Sequence, residues 1–145
     1  MIQPDDLRFL IKIYHDQQTI YRSILQTAIE FNDRLCENPG ADCVLDYFQH
    51  RLSREKEISG LDQAISREKK LWQDHKDRLP DSDPLKQELK ELLDDIRLIL
   101  AETLRIDTGI TDQVRTRGVQ IRSTQAVNGS ISQANALNRY KQQKK

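Results

Sequence analysis

Three histidines, two cysteines and a few adjacent carboxylates are the side chains with which this chain could do chemistry, and their spacing argues against each use in turn. His15, His50 and His75 are scattered. None has a second histidine or cysteine three or four residues away, the spacing that puts two ligands on one helical face, so no metal site is expected. His15-Asp16 and Asp74-His75 are adjacent pairs, which point in different directions on a helix and cannot serve as a base with its orienting carboxylate. Asp5-Asp6 and Asp94-Asp95 read as helix-surface charge, and no glycine-rich loop is present to cradle a phosphate. Cys36 and Cys43 flank the turn Asn38-Pro39-Gly40, but two cysteines make no disulfide framework, and both are read as free thiols. These residues predict neither an enzyme nor a bound cofactor.

The elements that carry them are helical. Asp5 and Asp6 after Pro4 give a first helix an acidic start, where exposed N–H groups and the positive dipole end favour carboxylates. Leu7, Ile11, Tyr14, Tyr21, Leu25, Ala28 and Leu35 then follow a four-three rhythm interrupted by Gln18 and Asn32, and Leu10, Ile13, Ile20, Ile24 and Phe31 widen the seam. A face this broad requires more than one neighbour. Asn38-Pro39-Gly40 ends the helix. A second helix is expected from an N-cap at Asp42 through Val44, Leu45, Phe48, Leu52, Ile58, Leu61, Ile65 and Trp72, and the polar Arg54-Glu55-Lys56 and the low helix propensity of Gly60 make it the softest of the three. Leu79 to Pro84 supplies a stop and a turn, with Asp83 as N-cap and Pro84 at the first helical position. The third helix has the cleanest pattern. Leu85, Leu89, Leu92, Ile96, Ile99, Ile106 and Ile110 keep four-three spacing, with Leu93, Leu100, Val114 and Ile121 on a strict seven beside them.

Asp107 falls on that same sevenfold line. It reads as a solvated carboxylate at the core edge that fixes register, with a binding role as the alternative. The run from Arg51 to Glu57, and Ser66 to Lys70 after it, mix signs at i,i+3 and i,i+4 spacing and read as a solvated, self-paired face, with a polar groove for a partner as the alternative. Short connectors make neighbouring helices antiparallel. The predicted fold is therefore all-α: an elongated antiparallel bundle of three long helices, coiled-coil-like, over residues 1–122, with a partly disordered or extra-helical tail over 123–145.

The charge is unevenly placed. Lysine plus arginine (23) equals aspartate plus glutamate (23) over the chain, yet beyond Asp112 no acidic residue occurs and seven basic ones follow, leaving the last segment near +7 and the rest near −7. The balanced total gives no field to draw the molecule onto nucleic acid or an anionic membrane. The start MIQPDDLRFL has no signal-peptide pattern and no run is long enough to span a bilayer, so a cytoplasmic protein without membrane insertion is expected. From Ser123 the chain is rich in small and amide side chains and cannot bury enough to order itself, while Val127, Ile131 and Ala134, and Gln133, Leu137 and Tyr140, keep helical spacing. That combination suits folding upon a partner; a frayed basic terminus is the plain alternative, and the few basic residues with Tyr140 as the lone stacking ring disfavour nucleic acid.

The whole arrangement resembles the FlgN-type flagellar export chaperones, small helical proteins that hold hook-associated subunits before type III secretion. The resemblance lies in the paired leucines and isoleucines of the first helix, the stretch Arg51-Leu52-Ser53-Arg54-Glu55-Lys56-Glu57-Ile58-Ser59-Gly60-Leu61-Asp62, a third helix carrying Ile96 to Ile110, and the Asn128-Gly129 step followed by Ala134, Ala136, Leu137, Asn138, Arg139 and Tyr140. It implies a chaperone whose C-terminal helix and tail shield the C-terminal helical segment of a hook-filament junction protein, and which docks on the export gate through a late tyrosine, matched here by Tyr140. Related chaperones for the filament cap share the plan. The client-facing residues expected on this basis are Ile110, Val114, Ile121, Val127, Ile131 and Leu137, with Val114 and Ile121 open to an ordinary core role. The competing expectation is a structural coiled-coil scaffold, in which the third-helix face pairs permanently, for example in a homodimer.

Overall fold

The computed structural model describes residues 1–37 and 39–116. The fold is all-α, with no strand among the described residues: α1 (Pro4–Leu35), α2 (Ala41–Ala64), α3 (Ser66–His75), a 3₁₀ turn (Lys76–Arg78) and α4 (Pro84–Thr116).

α1 opens where proline and the acidic pair predict. The Gln3 backbone N–H donates to Asp6 Oδ2 at 2.9 Å, filling half of a capping box. Its apolar face buries Leu7, Leu10, Tyr14, Tyr21, Ile24, Ala28, Phe31 and Leu35, and it packs against α2, α3 and α4 alike, as a face of that breadth requires. α4 lies closest, running beside α1 in the same direction, since Leu7 to Ile24 share a core with Leu89 to Leu100 while Phe31 and Leu35 share one with Ile106 and Ile110. The α2–α3 segment returns the opposite way: Phe31 stacks on Tyr47, Gln17 Nε2 donates to Asp62 Oδ1 at 2.8 Å, and Arg67 pairs with Asp6 at 3.4 Å. α1 approaches α4 more extensively than it does α2 or α3.

Two boundaries differ from expectation. α2 is capped by Gly40 in an extended conformation (φ −65°, ψ 160°), which places Asp42 inside the first turn, where its charge still favours the dipole. The expected single second helix is two helices. The interruption falls at Ile65 (φ −112°, ψ 16°) rather than in the Arg54–Gly60 stretch, and Gly60 continues the helix with open space around its Cα. Ile65 itself is fully buried in the core. A β-branched residue gives up little by leaving the helix, because its rotamers are already restricted there. The start of α4 follows the spacing: Asp83 Oδ1 accepts from the N–H groups of Leu85 (2.9 Å) and Lys86 (3.3 Å), with Pro84 at the first helical position. The buried Lys86 ammonium ties this turn down by donating to the Leu79 carbonyl at 2.8 Å and to Asp81 at 2.9 Å, and it holds the Asp81 carboxyl below its ordinary range.

The apolar interior divides into two clusters. The larger joins Leu7, Leu10, Tyr14, Tyr21 and Ile24 of α1 to Ile58, Ile65, Trp72 and to Leu89, Leu93, Ile96 and Leu100. The smaller holds Ala28, Phe31, Leu35, Val44, Tyr47, Phe48, Ile106 and Ile110, and at its centre the Phe31 and Tyr47 rings stack 4.0 Å apart with Phe48 edge-on to both. Among the described residues no helix is long and apolar enough to cross a membrane.

Candidate functional site

The strongest polar feature lies where the two apolar clusters meet. Arg51 of α2 donates through both terminal nitrogens to the two carboxylate oxygens of Asp107 on α4, with side chains only 2% and 5% exposed. Its Nη1 also donates to the Tyr47 hydroxyl at 3.0 Å, and Glu55 lies 3.6 Å from its Nε. Burial alone would lower the arginine pKa, but the hydrogen bonds and charge of Asp107 reverse that and hold it well above its ordinary range. Burial pushes the Tyr47 phenol up to about 12. A fork-to-fork pair of this kind has directional geometry as well as charge, and it joins α2 to α4 at one register.

This corrects two expectations. Asp107 is not a solvated carboxylate at the core edge but a buried partner of Arg51, and the run from Arg51 to Glu57 is a solvated, self-paired face only in part. Arg54 and Glu57 do pair at 3.3 Å near the surface, whereas Arg51 turns inward. A signal for this was present in the chain: Val44, Arg51, Ile58, Ile65 and Trp72 are spaced by strict sevens, and the other four are buried. Arg51 is the charged member of one sevenfold line and Asp107 of another.

Of the expected client-facing residues, Ile110 is 1% exposed inside the smaller cluster, covered by side chains of α1 and α2. It is a core residue and offers no surface to a client. Val114 packs half-buried against the same cluster. Ile121, Val127, Ile131, Leu137 and Tyr140 lie outside the described residues. Beside Val114, Gln113 Nε2 donates to Asn32 Oδ1 at 2.7 Å, so the polar Asn32 that breaks the α1 seam meets a polar partner. Exposed large apolar side chains among the described residues are few: Met1, Phe9 and Leu98, the last 66% exposed on α4.

His15 and His50 are exposed and His75 half-buried, on separate stretches of helix. Among the described residues no group of three histidine, cysteine or acidic side chains is placed to hold a metal ion, and Cys36 and Cys43 are both free thiols. The described residues line a cleft of about 410 Å³ between α1, α3 with its 3₁₀ turn, and α4. Its floor is Tyr14, Trp72 and Leu93, and Lys69, Lys76, Lys90 and Arg97 stand around it with Asp77 and Asp94. Sequence periodicity places Trp72 and Leu93 in a core but carries no signal that lysines from three elements converge beside them. No family model, curated protein or solved structure matches the chain.

Proposed function

We propose that this chain is a cytoplasmic, non-enzymatic chaperone of the flagellar export type, which holds the C-terminal helical segment of a hook-associated protein until secretion. In this reading α1, the α2–α3 return and α4 are the three legs of an elongated bundle with coiled-coil-like packing, and the client is held by the segment that follows α4. One observation supports this most. The α4 seam runs through Ile106, Ile110 and Val114 and resumes in the sequence seven residues on at Ile121, yet α1, its companion, ends at Leu35, about one turn beyond the Asn32–Gln113 hydrogen bond. The apolar line therefore outruns the described helix beside it, and Ile121, Val127, Ile131 and Leu137 are the positions a client helix would cover. Export-gate docking through Tyr140 belongs to the same proposal.

The test is co-expression of the chain with hook-filament junction proteins and with a filament-cap protein, followed by size-exclusion chromatography. A stoichiometric complex with one of them supports the reading; a chain that stays alone in every combination overturns it. A dimerising scaffold is the second reading, favoured by Leu98 exposed on α4. Sedimentation of the isolated chain as a dimer that Leu98→Glu converts to a monomer would establish it instead.

A further inference from the structure

We infer that the cleft over Trp72 is a binding site for a short acidic peptide segment that inserts one aliphatic side chain between Trp72 and Leu93 and directs its carboxylates to Lys76 and Lys90. The site lies on the described helices and is independent of the chaperone reading. Its floor is apolar and belongs to the larger core, so an aliphatic side chain entering it replaces water on aromatic and leucine surface. Its volume suits one such side chain with the backbone around it.

The rim decides the charge of the occupant. Four cations face two carboxylates there, in a body that through Asp112 carries a net charge near −7, so the cleft reverses the sign of its surroundings. Lys69 pairs with Asp62 at 3.4 Å and Arg97 with Asp94 at 3.5 Å. Lys76 and Lys90, by contrast, form no ion pair within 4.0 Å among the described residues, Lys90 acting on Asp81 only at longer range. Residues 113–145 cannot supply the occupant, because none of them has an acidic side chain. A nucleic acid is disfavoured by the acidic body, which would repel a continuous phosphate backbone, whereas a short peptide brings few charges and places them only at the rim.

Trp72 is the chain's single tryptophan, so its emission reports the cleft alone. The probe is a capped pentapeptide with two glutamates on each side of a central leucine, titrated into the full chain at low salt. A saturable change in Trp72 emission is expected, weakened about tenfold or more by Lys76→Glu with Lys90→Glu and by raised salt. Should the reversed pair fail to fold, Lys76→Gln with Lys90→Gln gives the same readout. The proposal is overturned by no saturable change, by equal binding of the peptide with glutamine in place of glutamate, by unchanged affinity in the lysine variants, by tighter binding of a short single-stranded oligonucleotide, or by self-association of the chain that covers Trp72.

Discussion

Arg51 and Asp107, 56 residues apart in the chain, meet fork to fork in the interior of the bundle and join α2 to α4. Each is nearly sealed from water, so each depends on the other for its charge. Replacing Arg51 by methionine or Asp107 by leucine alone is expected to cost about 3–5 kcal/mol, because the partner remains charged and buried. Replacing both together should restore stability to within about 1 kcal/mol of the parent, or exceed it. Urea denaturation of the four chains makes the comparison; equal losses in the single and double variants would mean that the pair is not coupled.

Tyr47 gives the fold an alkaline limit. Its phenol, ordinarily at 10.0, is pushed up to about 12, chiefly by burial. Below pH 10 folded and unfolded chains both carry the neutral phenol, and its contribution is complete. As pH rises from 10 towards 12 the unfolded phenol ionises while the folded one stays neutral, and about 2 to 3 kcal/mol is lost by the time the folded group titrates. Tyr47→Phe should cost about 1 kcal/mol at pH 8, where it removes the hydroxyl that accepts from Arg51, and should show a shallower decline between pH 10 and 12. Urea midpoints for the two chains that fall in parallel above pH 10 would refute the assignment.

Gly60 sits inside α2 with nothing close to the place a Cβ would occupy. Gly60→Ala should therefore stabilise the protein by about 0.5–1 kcal/mol, through helix propensity and a less free unfolded chain. A fall in melting temperature would show that the position makes a contact the open space does not suggest.

Asp83 holds the first turn of α4 by accepting from two of its free N–H groups. Asp83→Ala should cost about 1 kcal/mol, and Asp83→Asn much less, since the asparagine oxygen also accepts. Equal melting temperatures for the alanine variant and the parent would mean that Lys86 and Pro84 fix the turn without it.

The client-binding proposal separates surface from core. Aspartate at Ile121, Val127, Ile131 and Leu137 should abolish recovery of the hook-associated client while leaving the urea midpoint unchanged. Ile110→Asp should unfold the chain, because it puts a carboxylate inside the smaller cluster. Loss of the urea transition in the fourfold variant would place those four residues in the core instead.

Much of the fold was legible because spacing reports burial directly. The seam of α1, the Asp83-Pro84 start of α4 and the inward face from Leu89 to Ile110 follow from periodicity and capping alone. The interruption at Ile65 was not, since no proline or glycine marks it and the sevenfold line runs through it unbroken. Arg51 was misplaced for a different reason. Its neighbours Arg54, Glu55 and Glu57 supply the i,i+3 and i,i+4 pairs of a wetted face, and those local pairs obscured a line of sevens in which its position is an inward one. The cleft could not be foreseen, because Lys69, Lys76 and Lys90 belong to separate elements and converge only when α3 and α4 both pack on the shared core.

α1 and α4 point the same way, so the carbonyl-bearing end of α1 at Leu35 comes to one pole beside Gln113 of α4. Partial negative charge collects there from α1, and the sequence after Asp112 carries only positive charge, beginning with Arg115 on α4, a favourable electrostatic match. The Trp72 cleft sits toward the other pole, roughly 30 Å back along α4 at 1.5 Å per residue. The two partners proposed above, one at the cleft and one after α4, would therefore not collide, and under those proposals the chain would act as a two-ended tether, keeping hold of one while the other is engaged at the far end.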